Sequence, residues 1–192
     1  GPERTRHGQH ARGVGASAPY PCSMAANEND DVVLDHSNGW AAYETLEAFL
    51  DEDGWYPQPI DGTTAYRAGF NGDSGKFRVI SHVNVELEQL YVYVMAEVNV
   101  PEETRLGVAE FMTRANYGMR IGNFELDLTD GEVRYKSSLD FEGQPLTSRL
   151  VHNAIYPAVT TMDRYFPSLM KVAYGGATAA EAVREIEQPP GP

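Results

Sequence analysis

Apolar residues recur along this chain at two spacings, one near the 3.6-residue period of a helix and one at the two-residue period of a strand. Trp40, Tyr43, Leu46, Phe49 and Leu50 fall at helical intervals after Ser37 or Asn38, either of which suits an N-cap, and Gly54 ends this first helix. From Thr64 to Phe70 the pattern alternates, with Tyr66, Ala68 and Phe70 on one face. A Gly-rich turn, Asn71 to Gly75, leads into Lys76 to Glu86, where Phe77, Val79, Val83 and Val85 share a face. A turn near Glu88 returns the chain through Leu90 to Val98, completing a three-stranded meander. Pro101-Glu102-Glu103 then opens a second helix, with proline early and acids in its first turn. Leu106, Val108, Phe111, Met112 and Ala115 form its expected buried stripe, and Gly118 its C-terminal glycine. A third helix carries the stripe Leu150, Val151, Ala154, Ile155, Val159, Met162, Phe166, Leu169 and Val172, with Pro157 and Pro167 expected to kink or divide it. Thr178 and Glu181 form a capping box before a short last helix, with Val183 and Ile186 inward.

Between the second and third helices lies the strongest local signal, a hairpin about Asp130-Gly131. A two-residue turn there pairs residues whose numbers sum to 261. Leu128 then stacks on Val133 and Leu126 on Tyr135, while Asp127 faces Arg134 and Glu125 faces Lys136. The order of elements is α-β-β-β-α-β-β-α, which predicts an α+β fold with an antiparallel five-stranded sheet packed with helices.

The third strand differs from its neighbours. Val92, Val94, Ala96 and Val98 lie on one face, and Tyr91, Tyr93 and Met95 on the other, so both faces are apolar. A strand buried on one side only has no need of this. Either its second face is covered by a bent helix or the chain's own tail, or it is a dimer or partner surface, where Tyr and Met are enriched.

Composition narrows the class. With 192 residues, 42% hydrophobic and 10% aromatic, the chain can build one proper core. We expect a disordered leader and acidic linker over 1–36, a single domain over 37–187, and a loose tail over 188–192. Met24-Ala25-Ala26 resembles a natural start. The net charge of −13, with no Lys/Arg cluster, argues against direct nucleic-acid binding. Arginine outnumbers lysine 12 to 3, as a GC-rich genome or adaptation to salt would each produce. Cys22 stands alone, so no intrachain disulfide forms. Neither a membrane-spanning run nor a signal-peptide pattern is seen, and the cytoplasm is the expected compartment.

Candidate chemistry is sparse. His152 and Asp163, eleven residues apart on one helix, stand about 16 Å from each other, too far for general-base catalysis. His82 falls on the polar face of its strand with Arg78 and Asn84, and His7 and His10 have metal-like spacing without a rigid scaffold. Gly118 to Gly122 lacks the Gly-Lys-Ser/Thr ending of a phosphate loop and enters a strand. Asn71 to Gly75 has no downstream Glu at calcium-loop spacing and reads as a turn. Thr147 and Ser148 belong to a helix cap, and Cys22 sits in the leader, a poor place for a nucleophile. The carboxylates Asp51-Glu52-Asp53 end a helix at its negative pole, a small cost where exposed. No catalytic, cofactor-binding or metal residues are assigned, and no cofactor is expected.

The residues about the hairpin carry a resemblance. Asn116, Gly122-Asn123-Phe124, Leu126-Asp127, Asp130-Gly131-Glu132-Val133 and Tyr135 are followed by Asp163-Arg164-Tyr165-Phe166-Pro167, Leu169, Val172, Gly175 and Glu181-Ala182. In their order and spacing they are similar to the YbjN family of bacterial regulators, whose fold is that of type III secretion chaperones. The resemblance covers residues 38 to 187 in element order and is specific from residue 105 onward. It implies a helix-covered sheet, frequent homodimerisation and binding of a peptide or protein, and supplies no catalytic residues. It tips the doubly apolar strand toward a dimer surface at Tyr91, Tyr93 and Met95. The function expected is a non-enzymatic, chaperone-like or regulatory module that binds a protein partner as a homodimer, without direct nucleic-acid or membrane contact. The alternatives are a small-ligand sensor or enzyme with a pocket between sheet and helices, or a support for assembly of a larger complex.

Overall fold

The computed structural model describes residues 35–187; the leader, most of the acidic linker and the tail, with His7, His10 and Cys22, lie outside the described residues. The helices are α1 (Ser37–Glu52), α2 (Arg105–Tyr117), α3 (Ser148–Tyr174) and α4 (Ala179–Glu187). The strands are β1 (Gln58–Pro59), β2 (Ala65–Asn71), β3 (Lys76–Asn84), β4 (Gln89–Asn99), β5 (Asn123–Leu126) and β6 (Glu132–Asp140), and a single 3₁₀ turn, Glu102–Thr104, precedes α2. The fold is α+β with an antiparallel sheet, as expected, but the sheet has six strands rather than five, in the order β1-β2-β3-β4-β6-β5. The added strand, β1, is two residues long and so carries no periodicity to read. Gln58 opposite Arg67 takes the hydrogen-bonded position, which leaves Pro59 where its missing N–H is not needed.

One face of the sheet is apolar and covered. Phe77, Val79, Val83, Val92, Val94, Val133 and Tyr135 are buried there with Leu46 and Leu50 of α1, Phe111 of α2, and Ile155, Met162 and Leu169 of α3. The helix α3 crosses β4 and β6 and touches α1, α2 and α4, so the helices form one layer. Burial of these side chains, each contributing about 1.5–3 kcal/mol, is the main stabilising term.

The β5–β6 hairpin forms between the expected strands, slipped by two residues from the expected register. Leu126 lies opposite Val133, Phe124 opposite Tyr135, and Glu125 opposite Arg134. The turn is wider because both its aspartates bond to local amides. Asp127 Oδ1 accepts from Thr129 N at 2.7 Å, Asp130 Oδ1 accepts from Glu132 N at 2.8 Å, and Gly131 N donates to Asp127 O at 2.8 Å. A slip of two preserves which residues face the core, but moves Leu128 off Val133 and leaves it 56% exposed. Gly131 has φ +83, and a Cβ there would stand 2.2 Å from Val100 O.

Other expectations shift at helix ends. Asp35 caps α1 by accepting from Ser37 N at 2.9 Å, ahead of the expected Ser37 or Asn38. Leu106, placed in the buried stripe of α2, is 78% exposed, because it stands two residues before Val108 and so on the side of the helix away from Val108, Phe111, Met112 and Ala115. Neither Pro157 nor Pro167 divides α3, which runs for 27 residues. Both prolines lie off the buried stripe, so the carbonyls they leave unpaired, at Asn153 and Asp163, reach water. Thr147 and the Thr178–Glu181 box cap α3 and α4 as expected.

Two polar contacts join the layers. Asp163 of α3 accepts from Asp73 N at 2.9 Å and Ser74 N at 2.7 Å, and a Cβ on Gly72 would come within 2.2 Å of its carboxylate. Asn116 at the end of α2 accepts from Phe124 N at 2.8 Å and donates to Phe124 O at 3.1 Å, holding β5 by both sides of one peptide residue. We expect Asn116→Ala to lower unfolding free energy by about 1–3 kcal/mol, since it strands the partly buried amide and carbonyl of Phe124, and Asp163→Ala by about 1 kcal/mol, since the two amides it releases are exposed to water. Urea denaturation monitored by circular dichroism measures this, and a loss no larger than that of an exposed-site substitution such as Arg149→Ala would refute it.

Candidate functional site

The ladder register decides which side chains share the uncovered face. Across β2, β3, β4 and β6 one row reads Ala65, His82, Tyr91 and Ser138. The next reads Arg67, Ile80, Tyr93 and Lys136, continued by Asn123 of β5, and the third Gly69, Arg78, Met95 and Arg134, continued by Glu125. The structure therefore brings Tyr91, Tyr93 and Met95 together as expected. Of the two covers considered for this strand's second face, a bent helix is not found among the described elements, and the chain's own tail lies outside the described residues.

These residues are partly covered by their own neighbours. Tyr91 and Tyr93 stack with ring centroids 6.5 Å apart, and His82 stacks on Tyr91 at 6.0 Å. The Arg134 guanidinium lies 4.7 Å from the centre of the Tyr93 ring, and the Lys136 ammonium 5.9 Å from that of Tyr91. Arg134 also pairs with Glu125 at 2.7 Å, and Lys136 reaches the same carboxylate at 3.8 Å. Met95, between Arg78 and Arg134, is only 8% exposed, because the long basic side chains lay their stems over it. A bulge between Met95 and Asn99 ends the alternation, so Val98 is half-buried and Val100 takes the core position instead. The cations that flank the aromatic rows are the part of this surface that strand periodicity alone did not reveal. Their positions at alternate residues of β3 and β6, 76, 78, 134 and 136, were the available signal.

The remaining candidates resolve into structure. His152 stacks on Tyr156 at 4.4 Å, while Asp163 is engaged with the β2–β3 turn. That turn presents amide donors to a carboxylate, which is the opposite of a cation-binding loop. Gly122, with φ +73, is pressed against Lys136 O, where a Cβ would stand at 2.5 Å, and the Tyr135 hydroxyl donates to Ile121 O. Asp53 accepts from Trp55 Nε1 and from the Tyr156 hydroxyl, tying the end of α1 to α3. No group of three or more His, Cys, Asp or Glu side chains suited to a metal occurs among the described residues, and no described helix is long and apolar enough to cross a membrane. A cavity of about 650 Å³ lies between α2 and α4, lined by Arg114, Tyr117, Val183 and Arg184. A smaller one of about 300 Å³ lies between the edge of β6 and α3, beside Ser137, Leu139 and Asn153. Arg120, Ser138 and Leu150 also border the smaller one.

Residues 42–171, from within α1 to near the end of α3, match the family YbjN, described as "Putative bacterial sensory transduction regulator". The chain belongs to the YbjN family. A crystal structure of YbjN from E. coli, titled a putative transcription regulator, is similar over 62% of this chain and 92% of that one, with 15% identity and a TM-score of 0.42. No curated protein matches the chain. The residues that marked the family in the sequence, Asn116, Gly122, Gly131, Tyr135 and Asp163, all make the structural contacts described above.

Burial against Tyr91 holds the His82 imidazole below its usual pKa. The unfolded chain then takes up this proton first, so the contribution of His82 is fully present above about pH 6.5 and is lost as pH falls toward the folded-state value. Urea midpoints measured between about pH 7.5 and pH 5 should fall more steeply for the wild type than for His82→Asn. Parallel curves would refute this.

Proposed function

We propose that this YbjN protein is a non-enzymatic regulatory or chaperone-like module that acts as a homodimer and binds a protein partner through the open face of its sheet. The observation that carries this reading is the row of Tyr91, Tyr93 and Met95 at the centre of a face that no described helix covers. Burying the stacked, half-exposed Tyr91 and Tyr93 supplies association energy, and the flanking charges supply orientation. The description of the family as a sensory-transduction regulator supports a role in regulation.

Light scattering on the full chain should give twice the mass of one chain, and Tyr91→Glu or Tyr93→Glu should shift the species toward monomer. Tyr117→Glu, at a 96% exposed position on α2, should leave it unchanged. A monodisperse wild-type monomer would overturn the dimer, and equal loss from Tyr117→Glu would overturn the assignment of the face.

A further inference from the structure

At the β2 side of the open face the cations form no ion pair among the described residues. Arg67, Lys76 and Arg78 are all exposed, and none has a carboxylate within ion-pair distance among the described residues. Arg67 and Arg78 are diagonal neighbours on one face, since Gly69 pairs with Arg78 and Arg67 with Ile80. Two like charges in that relation repel. Between them Gly69 contributes no side chain, and a Cβ there would meet nothing within 4 Å. The result is a hollow of about 370 Å³ lined by Arg67, Gly69, Arg78, Gln58, Tyr56 and Glu97. Glu97 forms no ion pair with either arginine. In a chain of net charge −13, this is a concentration of free positive charge next to an empty depression.

The edge of β2 beside the hollow is also open. Val83 N donates to Thr64 O and Gly72 N to Gly75 O, so the even-numbered residues of this ladder bond to β3. The amides and carbonyls of Gly69 and Asn71 therefore point away from β3. There β1 reaches only Tyr66 and Arg67, and the chain turns off at Tyr56, which has φ +51. Among the described residues, a donor and an acceptor without partners thus stand alongside two guanidinium groups without ion pairs.

We propose that this corner is a docking site for an extended acidic segment of a partner protein. The segment's backbone lies along Gly69 and Asn71 while a glutamate or aspartate seats between Arg67 and Arg78. The occupant follows from charge complementarity, because a guanidinium pair facing one hollow suits a carboxylate in two-point contact. This rests on the reading of the domain as a protein-binding module and adds the chemistry of the partner.

The test is fluorescence anisotropy on the full chain, using labelled eight-residue peptides of alternating Glu and Val, of Gln and Val, and of Lys and Val. The Glu peptide should bind, and the Gln and Lys peptides should bind about tenfold more weakly or worse. Arg67→Gln with Arg78→Gln should reduce binding of the Glu peptide about tenfold, and raising salt from about 50 mM to about 500 mM should weaken it further. Arg149→Gln, an exposed cation at the start of α3, should change nothing. Replacing Glu by Gln in the probe tests the same contact without altering the protein. Equal binding of the Glu and Gln peptides, or an equal loss from Arg149→Gln, would overturn the proposal. Light scattering separates it from the homodimer reading. A wild type that dimerises but does not prefer the acidic peptide removes this inference alone, and conversion of the Arg67/Arg78 variant to monomer would show a second copy to be the occupant instead.

Discussion

The domain is organised by the double pairing of β4, which bonds to β3 on one edge and to β6 on the other. The sequence neighbours β2, β3 and β4 form a meander that folds locally, but β6 reaches β4 only after α2 and β5 have been laid down. That long-range pairing sets Val92 and Val94 into a continuous apolar layer with Val79 and Tyr135, and it is this layer that α3 covers. The same pairing fixes the opposite face by parity. Once Val94 points inward, Tyr93 and Met95 must point outward, and Arg134 and Lys136 must stand beside them. The interaction surface is therefore not an addition to the fold but the reverse side of its core.

Periodicity revealed the elements well and their junctions less well. The apolar stripe of α3 persisted through two prolines because burying one continuous face outweighs two missing hydrogen bonds whose carbonyls can be solvated. The hairpin shows the limit in the other direction. Pairing Leu128 with Val133 satisfied every visible cross-strand preference, yet the turn aspartates had a stronger local use as acceptors for Thr129 and Glu132 amides. Strand alternation is insensitive to a slip of two, so the core face was legible and the register was not. The bulge after Met95 is a further case, since one inserted residue exchanges Val98 for Val100 without leaving a compositional mark. The open face was legible as apolar at Tyr91, Tyr93 and Met95. Its cations were present in the sequence, but their relation to those rings depends on which strands are neighbours, and β6 beside β4 is a long-range fact.

The family pattern is concentrated in residues that leave the surface little to do with it. Asn116 clamps Phe124 by its backbone, Gly122 and Gly131 admit carbonyls that any side chain would displace, and Asp163 fills the amide cradle of the β2–β3 turn. Each of these positions admits few substitutes, for reasons of geometry rather than chemistry performed on a ligand.

What the outer rows require can be argued from their charge. At the β6 side the basic side chains are internally matched, since Glu125 meets both Arg134 and Lys136, and the two cations lie over tyrosine rings. Such a surface is stable in water, and a partner that covers it must replace the hydration these charges lose. At the β2 side no carboxylate lies within ion-pair distance of Arg67, Lys76 or Arg78 among the described residues, and the strand edge beside them is unpaired. Leaving charge uncompensated on a free strand edge is the usual protection against indiscriminate pairing with other strands. The same arrangement is selective for a strand that brings its own negative charge, because repulsion excludes basic segments and desolvation penalises neutral ones. Protection of the edge and recognition of an acidic partner are then two consequences of one set of side chains.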